Sequence, residues 1–153
     1  MMSPRIIPAL ALAVIITAPP ALHGAAVART ITITAGDNMK YSIDNLTAKR
    51  GEKLRLVLKS TGTMPKVAMA HNIVVLQKGT DPAAFANASV MARDTAYIAP
   101  GFAKQVIAAT PLAGNGETVE VTFTVPAAPG KYAFLCSFPG HFLAGMRGTL
   151  NVT

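Results

Sequence analysis

The most informative stretch of this sequence is Tyr132-Ala133-Phe134-Leu135-Cys136-Ser137-Phe138-Pro139-Gly140-His141-Phe142-Leu143-Ala144-Gly145-Met146. Its first residues alternate as those of a β-strand do, so Tyr132, Phe134 and Cys136 are expected to share one face. A Pro-Gly turn then leads to a histidine, and a methionine follows five residues later. The stretch therefore predicts a cysteine, a histidine and a methionine close together where a strand ends.

Alternation of apolar and polar residues continues outside this stretch. It is clear over residues 30–35, 53–59 and 118–125, and glycine-rich turn signals separate these segments. Several short strands at such spacing predict an all-β fold, either a β-sandwich or a β-barrel.

One segment breaks the β pattern and predicts a short helix near 82–92. Asp81 followed by Pro82 is a typical helix start, and the next ten residues are rich in alanine. An irregular loop is the alternative, because Asn87, Ser89 and Val90 are poor helix formers.

Composition limits the kinds of protein this chain can be. Its 153 residues, 51% of them hydrophobic, suit one domain. The single cysteine excludes an intramolecular disulfide, a four-cysteine zinc site and a cysteine-ligated iron–sulfur cluster. Beyond residue 28 the chain has 13 basic and 7 acidic residues, a net charge of +6. These basic residues are scattered, so no binding of nucleic acid is expected.

Residues 1–28 have the pattern of a signal peptide. Arg5 supplies a positive start, residues 6–17 are apolar, and Ala26-Val27-Ala28 offers a small-x-small cleavage site. We expect cleavage there and a soluble domain of residues 29–153 in the periplasm, or otherwise beyond the cytoplasmic membrane. An uncleaved anchor is the alternative, but the apolar run is shorter than the roughly 20 residues that a spanning helix needs.

Thiolate, imidazole and thioether groups together point to copper. A type 1 copper site needs two histidines and one cysteine, with a weak axial methionine. Beyond residue 28 the only histidines are His71 and His141, so both are needed as ligands of such a site. Taken singly, each residue has an ordinary structural explanation, such as a buried thiol for Cys136. Taken together, they predict one copper ion bound by His71, Cys136, His141 and Met146.

The chain resembles the cupredoxins, and in particular azurin-like type 1 blue copper proteins. Residues 65–72 are similar to azurin's segment around its first histidine ligand, and residues 136–141 to its cysteine–histidine loop. The Cys-x4-His-x4-Met spacing is one residue longer than azurin's and looks more like that of auracyanin. The resemblance implies a weak axial carbonyl from Ala70, where azurin has glycine. It also implies supporting contacts from Phe138 and from Asn72, which would pin the cysteine loop by hydrogen bonds.

This resemblance implies a fold, a Greek-key β-sandwich of about eight strands, and it implies a function as well. It predicts a monomeric one-electron carrier, not an enzyme, that cycles Cu(II)/Cu(I) between redox partners such as cytochromes or membrane electron-transfer complexes. His141 should lie near the surface as the electron exit, inside a hydrophobic docking patch. We assign to this patch the loop residues Met39, Met64, Met69, Phe138, Pro139, Phe142 and Leu143.

Three other functions fit the sequence less well than electron transfer does. A copper chaperone or reservoir could use the methionines Met39, Met64, Met69 and Met91, but a closed four-ligand site holds copper too firmly for easy transfer. A copper oxidase or nitrite reductase needs further histidines for a second copper. A cysteine hydrolase using Cys136 and His141 lacks the strand-to-helix setting of such a nucleophile.

Overall fold

A computed structural model describes residues 27–153. The signal peptide predicted over 1–28 lies outside the described residues, apart from its last two positions, and stays a prediction. The described part contains eight strands and one α-helix: β1 (Arg29–Ala35), β2 (Asn45–Ala48), β3 (Lys53–Ser60), β4 (Val74–Leu76), α1 (Pro82–Ser89), β5 (Val106–Ala109), β6 (Thr118–Thr124), β7 (Gly130–Leu135) and β8 (Arg147–Val152). The all-β prediction with one inserted helix is confirmed.

The strands form two sheets. One has the order β1-β3-β6, and the other has the order β2-β8-β7-β4-β5. Most neighbours are antiparallel, but β1 pairs with β3, and β2 with β8, in parallel. The chain passes repeatedly from one sheet to the other, as in a Greek-key sandwich. The described helices include none that is long and apolar enough to cross a membrane.

The core between the sheets follows the predicted alternation. Leu54, Leu56 and Leu58 on β3 are fully buried, and each contributes roughly 2 kcal/mol of burial free energy. The inward residues of β6 are only half-buried, and β6 is one of the two edge strands of its sheet. On β7 the Tyr132 hydroxyl donates to the Ala128 carbonyl at 2.7 Å, which is the tyrosine corner of Greek-key sandwiches. This corner fixes the strand that ends at Cys136.

Helix α1 begins where the sequence predicts and ends three residues early. The Asp81 carboxylate accepts hydrogen bonds from the N–H groups of Ala83 and Ala84 at 2.8 and 3.3 Å, so it caps the first turn. At the other end, buried Ser89 accepts from the Ala99 N–H at 3.2 Å. That bond ties the helix end to the following loop, which contains the 3-10 helices Arg93–Thr95 and Pro100–Gln105. The predicted limit at residue 92 was therefore too late.

Candidate metal centre

One end of the sandwich brings together two imidazoles and the thiol. His71 precedes β4, Cys136 follows β7, and His141 lies in the turn between β7 and β8. Their candidate ligand atoms all lie within 4.8 Å of one another, and all three residues are buried. Within residues 27–153 this is the one cluster of three or more histidine, cysteine, aspartate or glutamate side chains with such spacing.

His71 is held by its backbone and offers both ring nitrogens. Its N–H donates to the Ala113 carbonyl at 2.9 Å and its carbonyl accepts from the Ala113 N–H at 2.7 Å. It thus lies in an isolated β-bridge, three residues before β4 begins at Val74. Burial lowers the pKa of His71, and nearby Asp37 opposes the shift. Neither ring nitrogen has a hydrogen-bond partner in the described part of the chain. A buried neutral imidazole without partners is suited to a metal ligand.

Cys136 has the surroundings of a thiol that binds metal as thiolate. Burial raises its pKa to about 12, while backbone N–H groups of Asn72 and Phe138 act in the opposite direction as hydrogen-bond donors to the sulfur. The sulfur lies 3.4 Å from His141 Nδ1 and 4.0 Å from the Ala70 carbonyl oxygen. The thiol keeps its proton at neutral pH until a cation compensates the negative charge, as a bound metal does.

His141 is less accessible than the sequence predicts. Its side chain is 2% exposed, and the Phe138 ring lies 4.8 Å from its own, centroid to centroid. Burial, followed by the charge of His71, lowers the pKa of His141 to about 4. The imidazole is therefore neutral at pH 7 and shielded from water. The position near the surface stays a prediction, and the imidazole itself is buried beside the Phe138 ring.

Met146 is fully buried at the end of the ligand loop. Its carbonyl accepts from the Cys136 N–H at 3.1 Å, and its own N–H donates to the His141 carbonyl at 2.9 Å. The backbone of Met146 thus links the other two ligand-loop residues. Gly140 and Gly145 have φ values of 83° and 92°, a conformation that glycine adopts readily. The two glycines let a loop with four residues between His141 and Met146 close on itself.

Comparison with known proteins agrees with this geometry. A family model described as copper binding proteins of the plastocyanin/azurin family matches residues 27–153. The chain belongs to this family. Azurin of Alcaligenes faecalis is 35% identical over 125 residues, which are 80% of this chain and 96% of that protein. Outer membrane protein H.8 of Neisseria meningitidis is 39% identical over 113 residues, 72% of this chain, and the chain spans 60% of its length.

A solved structure extends the likeness to the fold. The structure of auracyanin A, titled a "blue" copper protein from Chloroflexus aurantiacus, superposes with a TM-score of 0.73 at 35% identity. The match covers 83% of this chain and 100% of that one. Family membership and the cluster of His71, Cys136 and His141 together identify an electron-transfer copper protein with a single metal site.

Asn72 links the two segments that carry the ligands of this cupredoxin. Its side-chain oxygen accepts from the Ser137 N–H at 2.9 Å, and its amide nitrogen donates to Ser137 Oγ, also at 2.9 Å. The same nitrogen donates to the Ala96 carbonyl at 3.3 Å. Asn72 is fully buried and does not face the solvent. These bonds hold the residue after Cys136 against the residue after His71.

The seven residues assigned to the docking patch differ in exposure. Leu143 is 81% exposed and Met64 is 44% exposed. Met39, Met69 and Pro139 are half-buried. Phe138 and Phe142 are buried, at 9% and 8%: the first belongs to the main core, and the second packs under α1. The patch therefore has an exposed part and two aromatic residues whose side chains fill the space beneath the surface.

Sequence reasoning missed several residues around this centre. Val67, 72% exposed, adds to the apolar surface of the segment that carries Met64. The hydroxyl of buried Tyr41 donates to the Asn72 carbonyl, and burial raises the pKa of this tyrosine. Lys40 Nζ donates to the Ala144 carbonyl in the ligand loop. Val67 could have been found as an apolar residue in a turn-rich segment; the other two contacts join residues too far apart in sequence for any local pattern to show.

Proposed function

We propose that this chain is an exported one-electron carrier with a type 1 copper site held by His71, Cys136, His141 and Met146. The observation that carries the proposal is the buried cluster of one thiol and two imidazoles with the unpartnered nitrogens of His71. Soft thiolate, imidazole and thioether donors in this number suit copper, which supplies a one-electron Cu(II)/Cu(I) couple when bound.

The protein's own residues make such a site rigid and dry. Asn72 and Met146 cross-link the ligand-carrying segments through backbone and side-chain hydrogen bonds. All three clustered residues are shielded from solvent. Supporting bonds of this kind fix ligand orientation, so little rearrangement of ligands or water accompanies a change of charge. Small rearrangement is what fast electron exchange requires.

The weaker ligands complete the proposal. The thioether of Met146 would be the fourth and weaker ligand, because this fully buried methionine closes the loop that bears Cys136 and His141. The Ala70 carbonyl would be a further weak donor, since its oxygen lies 4.0 Å from the Cys136 sulfur. A weak axial donor adjusts the reduction potential, so both groups are tuning elements of the site.

Redox partners would dock on the apolar surface formed by the exposed residues of the patch, chiefly Leu143 and Met64. Buried Phe138 supports this surface from below and contacts the ring of His141, so electrons would leave through that imidazole. An apolar contact of limited size favours weak, quickly reversible binding. The +6 charge of the chain beyond residue 28 would steer it toward acidic partners, and added salt would slow their association.

The proposal also covers activity and location. Both histidines beyond residue 28 belong to this site, so none remains for a second, catalytic copper; we therefore propose a carrier and not an enzyme. Export is supported by the signal-peptide pattern of residues 1–28, and the name of one relative, outer membrane protein H.8, agrees with a place outside the cytoplasm. A monomer suits a carrier that exchanges partners rapidly.

The docking proposal is tested by electron exchange with a soluble c-type cytochrome in stopped-flow experiments. Leu143→Asp and Met64→Asp should each slow exchange about tenfold, equivalent to ~1.4 kcal/mol of lost association free energy, with an unchanged visible spectrum. Met91→Asp is the matched control, since Met91 is 90% exposed and receives the same charge. If Leu143→Asp and Met64→Asp slow exchange no more than Met91→Asp does, electrons leave by another face.

A further inference from the structure

Ala96 and Tyr97 have an uncommon backbone conformation next to the metal centre. Their φ values are 53° and 60°, both in the left-handed region. Residues with a Cβ atom avoid this region, and two in succession are rarer still. Such a conformation persists only where surrounding contacts impose it, and it is often found at functional sites.

Local hydrogen bonds fix this turn and direct one carbonyl at Asn72. The N–H groups of Ala96 and Tyr97 donate to the carbonyls of Arg93 and Ala92 at 3.1 and 2.8 Å. The Ala96 carbonyl then accepts from the buried Asn72 amide at 3.3 Å. The turn thus supports the side chain that joins the two ligand-carrying segments.

The side chain of Tyr97 contacts a second residue beside the centre. Its ring meets the Phe138 ring edge to face, with centroids 5.1 Å apart and an interplanar angle of 68°, a favoured aromatic geometry. Phe138 in turn lies 4.8 Å from the His141 ring. One short turn therefore contacts Asn72 and Phe138, the two residues whose backbone N–H groups are donors to the Cys136 sulfur.

We propose that Tyr97, with the left-handed turn that carries it, is a positioning residue that sets the reduction potential of the copper site through Phe138 and Asn72. Hydrogen bonds to the cysteine sulfur withdraw negative charge from it and so favour the cuprous state; they are a known means of tuning type 1 potentials. Loosening the turn should weaken both donors and lower the potential. The inference rests on the proposed copper site, whose own failure would appear as a parent protein without a blue colour.

The test compares variants of the copper-loaded protein by potentiometric titration and visible spectroscopy. Tyr97→Leu removes the aromatic contact and should lower the reduction potential and shift the sulfur-to-copper charge-transfer band. Tyr97→Asn is the second variant if the first folds poorly, because asparagine tolerates the left-handed region while lacking the ring. It should lower the potential as well. Tyr97→Phe keeps the ring and should behave as the parent does.

Phe102→Leu is the matched control for a purely structural effect. Phe102 is half-buried in the same connecting segment, and its ring packs edge to face on Phe85, 5.7 Å away, beneath α1. Losing this contact should lower the melting temperature of the metal-free protein without moving the potential. If Tyr97→Leu and Tyr97→Asn lower the melting temperature as Phe102→Leu does but keep the parent's potential and band, Tyr97 is only a packing residue and the proposal is wrong.

Discussion

Replacing Asn72 with alanine should lower the free energy of unfolding more than the loss of a few side-chain atoms usually does. The substitution removes both bonds to Ser137 and the bond to Ala96. The buried Ser137 N–H loses its acceptor, which costs ~1 to 3 kcal/mol, and each of the two donated bonds contributes roughly 1 kcal/mol net. We therefore expect Asn72→Ala to lose about 4 kcal/mol of unfolding free energy. In a domain of this size, that loss lowers the melting temperature by about 15 °C.

Urea unfolding of the metal-free protein measures this loss without interference from copper. The midpoint should fall while the slope of unfolding free energy against urea stays constant, since a change of midpoint alone reports stability. Asn151→Ala is the matched control. Its amide makes two hydrogen bonds, to the Asn45 side chain at 2.8 Å and the Leu46 carbonyl at 3.2 Å, in a half-buried position. It should cost less than ~1 kcal/mol, and equal losses for the two variants would refute the role assigned to Asn72.

Three further predictions concern the metal and its ligands. Met146→Gln should keep copper bound but lower the reduction potential, because an amide oxygen favours the cupric state; an unchanged potential and spectrum would mean that another group is axial. The metal-free protein should lose about 2 kcal/mol of stability between pH 7.5 and 5, because His141 has a pKa of about 4 when folded and 6.5 when unfolded, so the unfolded state takes up the proton first. His141→Gln should lose most of that dependence in urea titrations at the two pH values. The metal-free protein should also be folded by circular dichroism and gain melting temperature with copper; a disordered metal-free chain would contradict the self-sufficient core.

The sequence was enough to predict the fold class and the ligand cluster. Alternation in the strand before Cys136 indicated which face is buried, and the two available histidines left one way to complete the site. The first signal comes from neighbouring residues and the second from the number of histidines, so both can be read from the sequence alone. The same local signals placed the start of α1 at Pro82, where a cap and a proline coincide.

The contacts that surround the site could not be predicted in this way. Only the family resemblance pointed to hydrogen bonds from Asn72 to the cysteine loop, where Asn72 meets Ser137 across 65 residues of chain. Its bond to Ala96, across 24 residues, had no signal in the sequence. The parallel pairing of β1 with β3 and the left-handed turn at Tyr97 are likewise products of tertiary packing. The burial of the His141 side chain also depends on tertiary packing, in which the Phe138 ring lies against the imidazole.

The most direct test of the central claim is a visible absorption titration of the domain beyond residue 28 with Cu(II). One buried thiolate beside two imidazoles should produce an intense sulfur-to-copper charge-transfer band that saturates at one copper per chain. Cys136→Ser should bind copper weakly and lack the band, because the chain has no other thiol. An equally intense band in Cys136→Ser, or the absence of any such band in the parent at one equivalent of copper, would contradict the type 1 site.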